Sequence, residues 1–286
     1  MILLTGATGK TGGEAAKALA AKGVKARALV RNAEKATPLK ASGFELAIGD
    51  VSDVAAVKAA LHGIEKVLLI LPNSEHQLAL EKQIVDLAKQ AGVKHIVKMS
   101  SMEAVAKATS PIPRIHWASE QYLRDSGMAW TMIKPNFFMQ NLLGSARTIV
   151  GQKMFSMPMG NGKTGMSDCR DIGAVAAEAL TGKGHEKQSY EITGPELLTF
   201  TEVAERFTEV LGTRISYVAA DPAAFKQILS KVLPNEWHAN AVSDLFRGIA
   251  EGGLEYTTDT FRKLLKREPI SLTQFIRDYR AVFAPA

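Results

Sequence analysis

Short apolar runs punctuate the first half of the chain at residues 2–4, 25–30, 45–48, 67–71, 95–99 and 130–133. Between them lie segments with helical periodicity, among them residues 13–21, 54–61 and 75–91, the last with Leu78, Ile84, Leu87 and Ala88 on one face. Strands separated by helices in this way predict an α/β protein, a Rossmann-type, doubly wound parallel sheet covered on both sides. After Asn141 the alternation stops. Residues 151–165, rich in Gly, Met and Pro, read as irregular connection, and a helix is expected from Asp171 and Ile172 with Asp171 as N-cap. A strand over residues 189–193 ends at Gly194 and Pro195, and the remainder reads as mostly helical. The pattern predicts a sheet domain over residues 1–154 and a smaller, helix-rich portion over 155–286, part of which packs back on the sheet.

The first strand runs directly into "TGATGKTGG", so Gly6, Gly9 and Gly12 stand where a strand becomes a helix. In a turn that receives a diphosphate, one glycine permits the bend, one lets the anion approach the backbone and one lets the helix pack closely. The helix N-terminus then supplies N–H donors and partial positive charge. The spacing differs from the commoner Gly-x-Gly-x-x-Gly, and a glycine triplet alone also fits a purely structural turn. Its place between an N-terminal strand and a helix predicts dinucleotide binding, with Thr8, Lys10 and Thr11 in the same turn. The second strand ends in "ALVRN". An acidic residue there favours NAD, whereas Arg31, with Lys35 one helical turn beyond, can grip the extra phosphate of NADP; the alternative is a surface arginine without a ligand. In "IGDVSD", Asp50 is placed to accept a bond from an adenine amino group beside Val51, and Ser52 or Asp53 to cap the next helix.

Composition narrows the picture further. Of 286 residues 46% are hydrophobic and 22% charged, enough apolar material for a large core. The net charge of +6 is spread along the chain with no long basic block, which reads as a mixed solvated surface with no nucleic-acid partner. A single cysteine, Cys169, excludes an internal disulfide and a cysteine zinc site; a quiet buried thiol is expected, and no metal. No apolar run approaches the length of a membrane span and no leader precedes the first strand, so a cytoplasmic protein with no membrane partner, monomeric or homodimeric, is expected. "GNGKTGMSDCRD" lacks the spacing of a triphosphate loop.

The stretches "TGATGKTG", "VRN", "GDVSD", "GVKHIVKMSS", "HWASEQYLRDSGMAWTMIKPNFFMQN", "DIGAVAAEAL" and "YEITGPELLTFTEVAE" resemble the NmrA-like group of atypical short-chain dehydrogenase/reductases, which includes quinone oxidoreductases and triphenylmethane dye reductases. The wider superfamily carries Tyr-x-x-x-Lys, often continued to Glu, on the helix after the fifth strand. In that register Glu120 matches the Glu, His116 the Lys and Ile112 the Tyr, so the proton-donating phenol is absent. Alcohol or ketone chemistry needs such a donor. Tyr122, six residues beyond His116 and about 240° around the helix, faces elsewhere.

The resemblance implies an NADPH-dependent reductase passing hydride directly to a quinone-like or other conjugated aromatic electrophile. Within it His116 holds the nicotinamide ribose or donates a proton near neutral pH, or simply packs at the helix start. Ser100 and Ser101 end the fifth strand, where they reach cofactor or substrate, or cap the strand. In "KPNFFMQN", Pro135 shapes a bend and Asn136 offers an amide beside the nicotinamide. Phe137, Phe138 and Met139 form either an apolar wall for a flat substrate or part of the core. Leu71 and Pro72 are expected beside the cofactor, Pro72 alternatively as a strand terminator, and Met102 and Trp237 beside the substrate. The other reading is a non-catalytic NADP-binding redox sensor, which the missing phenol also fits; a sugar-nucleotide epimerase needs that phenol.

Overall fold

In the computed structural model, which describes residues 1–285, the apolar runs become strands and the periodic segments helices. In chain order these are β1 (Ile2–Leu4), α1 (Lys10–Ala21), β2 (Ala26–Val30), α2 (Thr37–Ala41), β3 (Glu45–Ile48), α3 (Val54–Leu61), β4 (Lys66–Leu69), α4 (Gln77–Gln90), β5 (His95–Met99), α5 (Pro111–Asp125) and β6 (Ala129–Pro135). There follow α6 (Ala146–Gln152), β7 (Met154–Met157), β8 (Lys163–Thr164), α7 (Cys169–Thr181), β9 (Gln188–Ile192), β10 (Leu198–Thr199), α8 (Phe200–Leu211) and β11 (Ser216–Ala219). The chain ends with α9 (Pro222–Val232), α10 (Glu236–Ala250), α11 (Thr260–Leu265), α12 (Leu272–Asp278) and α13 (Arg280–Phe283).

Seven strands form one parallel sheet in the order β3-β2-β1-β4-β5-β6-β9. Leu3 of β1 pairs with Arg27 on one side and Val67 on the other, so the order reverses between β1 and β4. That reversal is the switch point of a doubly wound sheet, outside whose carboxyl ends ligands bind. The central strands β1 and β5 are buried along their whole length, as helices on both faces require, and their sequences are runs rather than alternations.

Local chemistry sets the helix ends. Asp53 caps α3, its Oδ1 accepting from the N–H of Ala55 at 2.8 Å and of Ala56 at 3.2 Å. Helix α4 buries Ile84, Leu87 and Ala88 as its periodicity implies, but Leu78 is only half-buried, and Gln77 and Glu81 occupy the stripe instead. Helix α7 begins two residues before the expected N-cap, so Asp171 lies inside its first turn.

The chain divides into two compact units that interleave, so the boundary does not fall at residue 154. One comprises Met1–Ala106, Ile115–Lys134 and Cys169–Tyr190; α7 and most of β9 thereby rejoin the sheet. In this unit Gly173 lets α7 approach α1, since a Cβ there would lie 2.5 Å from the Glu14 carbonyl carbon. The other unit comprises Lys107–Arg114, Pro135–Asp168 and Glu191–Ala286. It is not wholly helical: β7 pairs parallel with β11 and β8 antiparallel with β10. A capping box between Thr199 and Glu202 starts α8, and Phe155, Phe200, Phe207 and Tyr217 pack ring to ring beneath it. Among the described residues no helix is long and apolar enough to cross a membrane.

Candidate active site

The glycine turn joins β1 to α1 at the switch point. Gly6 has φ +65, and a Cβ there would lie 2.7 Å from the Ile70 carbonyl oxygen. A Cβ on Gly12 would lie 2.2 Å from the carbonyl oxygen of Gly6, so the third glycine packs against the turn itself rather than against the sheet. Gly9 has negative φ and its Cβ would meet only that same oxygen at 3.2 Å. Backbone geometry therefore demands Gly6 and Gly12 outright and Gly9 much less, leaving the face of Gly9 open to a ligand. Gly9 is the N-cap of α1, no side chain caps that terminus and no acidic residue lies in its first turn. Such a terminus suits an anion. Thr8 and Lys10 are exposed and Thr11 is buried. Thr5, not singled out by the sequence, ties the turn to the end of β4: its hydroxyl accepts from Ile70 N–H at 2.9 Å and lies 3.0 Å from Ile70 O.

Arg31 and Lys35 follow β2 with both side chains exposed, Arg31 to 81%. Arg31 Nε stands 4.0 Å from Asp50 Oδ2 at the end of β3. Asp50 accepts from the Ser52 hydroxyl at 2.7 Å and from Ser52 N–H at 2.9 Å, and these bonds, helped by Arg31, hold its carboxyl below the usual range. The structure thus brings Arg31 and Asp50 together at one strand edge. Val51 beside them is half-buried, and Gln83 donates to its carbonyl at 3.1 Å. Leu71 is buried and Pro72 exposed in the segment after β4, which stops at Leu69, so Pro72 is not its immediate terminator.

At the end of β5, Ser100 is buried and donates to Glu120 Oε1 on α5 at 2.5 Å. Lys134 and Arg124 approach the same carboxylate at 3.4 and 3.7 Å. His116, one turn before Glu120, is 7% exposed, and its Nδ1 lies 3.3 Å from Lys98 Nζ. Burial, reinforced by the Lys98 charge, lowers the His116 pKa to about 3. The expected role of His116 as an imidazolium proton donor near neutral pH therefore gives way to that of a neutral ring. Three residues here were not anticipated from sequence: Lys98, Glu81 and Glu103. Lys98 on β5 is wholly buried and ion-paired with Glu81 of α4. Glu103 is hydrogen-bonded by Ser101, and burial raises its carboxyl pKa above the usual range. The lone Lys in "HIVKMSS" was the available signal, a cation in an otherwise apolar strand. Tyr122 bonds Asp86 at 2.7 Å on the exposed surface, away from this cluster.

Beyond β6 the chain continues into the second unit. Asn136 N–H donates to Ile192 O at 3.0 Å, and its side chain is 3% exposed. Oδ1 of Asn136 accepts from Phe137 N–H at 2.6 Å and from the Thr164 hydroxyl at 2.7 Å. Those two donors fix the amide so that Nδ2, with two N–H groups, is buried without a partner among the described residues. A native buried donor of this kind calls for an acceptor. Pro135, Phe137 and Met139 are buried and Phe138 half-buried, so of the expected wall only Phe138 keeps a substantial face. Phe137 instead packs edge-on to Phe200 at 5.8 Å and against Phe246 of α10 at 6.3 Å. Trp237, nine residues before Phe246 and about 180° around α10, is half-buried against His238. Met102, in the first unit, is buried.

A cradle that Cβ atoms would fill and an uncapped helix terminus at the switch point fit the diphosphate of a dinucleotide. Fold and turn together define a Rossmann-type dinucleotide-binding protein. The chain belongs to the NmrA-like family, whose model matches residues 1–276. It is 37% identical to an NAD(P)H azoreductase of Xenophilus azovorans, over 100% of both chains. It is 33% identical to quinone oxidoreductase 2 of Escherichia coli (strain K12), over 96% of this chain and 97% of that one. The solved complex of the Escherichia coli NADPH-dependent quinone oxidoreductase with NADPH aligns with a TM-score of 0.88 at 30% identity, covering 98% of this chain and 100% of that one. The Citrobacter sp. triphenylmethane reductase complexed with NADP(H) aligns at 0.85 and 25% identity, covering 97% and 99%.

Proposed function

We propose that the protein is an NAD(P)H-dependent oxidoreductase that prefers NADPH and passes hydride directly to a quinone-like, azo or other conjugated aromatic electrophile. The observation that carries the cofactor half is the β1–α1 turn, in which Gly6 and Gly12 are demanded by the protein's own backbone while Gly9 leaves the uncapped terminus of α1 accessible. Full-length likeness to an azoreductase and a quinone oxidoreductase supports the reaction class.

Bound NADPH would supply hydride from C4 of its nicotinamide. The residues of the chain do the rest. Gly9 and the first turn of α1 hold the diphosphate, with Thr8, Lys10 and Thr11 around it. Arg31, with Lys35, selects the ribose phosphate; its guanidinium is free enough to turn from Asp50, since the 4.0 Å approach is long and solvent-screened. Asp50 and Val51 receive the adenine, and Leu71, Pro72, Ser100 and Pro135 border the cofactor. Asn136 presents an N–H to an oxygen that gains negative charge as hydride arrives, and Phe138 offers a ring face to a flat acceptor. Met102, Met139 and Trp237 are assigned to acceptor binding by the family resemblance of the sequence alone. With Ile112 where a phenol would stand, the product oxygen or nitrogen takes its proton from water. Electrophiles that accept hydride without prior protonation fit this chemistry; simple ketones do not.

The missing phenol also favours a second reading, a dinucleotide sensor without turnover. The test is loss of reduced-nicotinamide absorbance with NADPH or NADH and a panel of quinones, azo dyes and triarylmethane dyes. Acceptor-dependent oxidation of NADPH faster than NADH, with the preference reduced about tenfold or more in Arg31→Glu, is the expected result. Tight NADPH binding with no acceptor turned over would transfer the argument to the sensor.

A further inference from the structure

Lys98 places a full ammonium inside the sheet unit at 0% exposure. An ammonium has three N–H donors and no acceptor. Lys98 Nζ has three acceptors around it: Oε1 of Glu81 at 3.1 Å, the Met99 carbonyl at 2.9 Å and His116 Nδ1 at 3.3 Å. Its donors are thereby used up, and His116 Nδ1 can meet that third N–H only as an acceptor. A ring that accepts at Nδ1 is neutral and carries its proton on Nε2.

The surrounding charges agree. The groups facing the ring are Lys98 from β5, Lys134 from β6 and Glu81 from α4; the two cations oppose protonation of the ring and Glu81 favours it. Burial raises the Glu81 pKa, but the Lys98 and His116 interactions and the bonds from Ser119 and Lys98 more than offset this, so Glu81 remains ionised and its charge is spent on Lys98. Gln77 Nε2 holds the same carboxylate at 3.1 Å. Glu120, one turn along α5, is engaged by Ser100, Arg124 and Lys134. A buried ion pair is a costly way to fill space, since well-packed apolar residues of the same volume serve stability as well or better. Its evident product here is one imidazole with a defined tautomer, at the carboxyl end of β5, two strands from the switch point. Nε2 of that ring has no hydrogen-bond partner among the described residues.

We propose that Lys98 is a positioning residue: by donating to Nδ1 of His116 it fixes the ring as an Nε2–H donor to an oxygen of the bound dinucleotide. The proposal rests on the dinucleotide reading above. Lys98 itself touches neither cofactor nor acceptor.

The experiment is long-range proton–nitrogen NMR of the full chain labelled at its six histidines, between pH 5.5 and 8, with and without NADP+, the His116 signals being assigned with His116→Gln. The expected result is a neutral His116 with its proton on Nε2 throughout that range, and a shift of that signal when NADP+ binds. In Lys98→Met/Glu81→Gln, which removes both buried charges together, His116 should populate both tautomers while burial still keeps the ring neutral over that range. The NADP+ Kd relative to wild type should rise about three- to tenfold. His116→Gln keeps an N–H donor and should bind NADP+ within about threefold of wild type. A wild-type His116 that titrates near 6.5, or carries its proton on Nδ1, would overturn the proposal even if the double variant does not fold. So would NADP+ binding, seen by calorimetry, that leaves the Nε2–H signal unmoved. Absence of NADP+ binding with the tautomer as stated would instead overturn the dinucleotide reading, and with it the role of the donor.

Discussion

A methyl group on Gly12 would sit 2.2 Å from the Gly6 carbonyl oxygen, whereas one on Gly9 would sit 3.2 Å from it. The two substitutions should therefore separate fold from ligand. Gly12→Ala is expected to cost about 1–3 kcal/mol of stability through overpacking, read as a lower urea midpoint. Gly9→Ala should leave that midpoint nearly unchanged and weaken NADPH binding, read by calorimetry. Equal loss of stability in both would mean that Gly9 serves the turn and not the anion. The glycine turn was legible in the sequence because its requirements are local: the strand, the bend and the helix are consecutive. Arg31 and Asp50 were legible for the same reason, each ending a strand. His116 was legible as a position but not as a chemical state, because that state is set by Lys98, 18 residues earlier in the chain, and by Glu81 on another helix. For Asn136, the oxygen contacts come from Phe137 next door and Thr164 far along the chain. Its orphaned Nδ2 could be seen only in three dimensions. Asn136→Ala is expected to lower kcat about a hundredfold with little change in the Kd for NADPH, if its N–H serves the acceptor.

At the scale of elements, α7 is the instructive case. A helix here and a return of part of the C-terminal portion to the sheet were expected, yet not that α7 is that part or that it lies against α1. Gly173 makes that contact possible, with the Glu14 carbonyl carbon and the Ala15 nitrogen 2.5 and 2.6 Å from where a Cβ would be. Gly173→Ala should force the two helices apart and cost about 1–3 kcal/mol, with the denaturant slope unchanged; an undiminished midpoint would show that the contact is loose. Helix α4 shows the opposite kind of misjudgement. A periodicity argument assigns polar residues to the outer face, and Gln77 and Glu81 broke that rule because a buried cation on β5 needed an anion above it. The expected irregularity of residues 151–165 hid β7 and β8, short strands that pair with β11 and β10 only after long excursions of the chain. Such non-local pairing leaves no local signature.

Across the whole molecule, two buried imidazoles set the response to acid. Burial lowers the pKa of His95 to about 4 and of His116 to about 3, against about 6.5 in the unfolded chain. Below that value the unfolded state binds protons that the folded state refuses, so stability is complete above pH ~6.5 and is lost as pH falls toward ~4, by up to about 1.4 kcal/mol per pH unit for each ring. Urea midpoints should decline from pH 6.5 downward, before most carboxylates titrate, and His95→Gln should flatten part of that slope; a flat profile to pH 5 would contradict the burial of both rings. Nothing in the linear order of strands announced that pH response, although a parallel sheet covered on both sides followed from the alternation of elements; the reversal of its strand order after β1 came only with the structure. In the reaction proposed, hydride passes from NADPH straight to an electrophilic acceptor without a protein proton donor. That transfer is tested most directly with NADPH deuterated at the transferred C4 position and a triarylmethane dye, whose central carbon keeps what it receives. Deuterium is expected on the central carbon of the reduced dye, delivered at a rate that the deuterium slows. Reduced dye without the label, or NADPH bound and never oxidised by any acceptor, would contradict it.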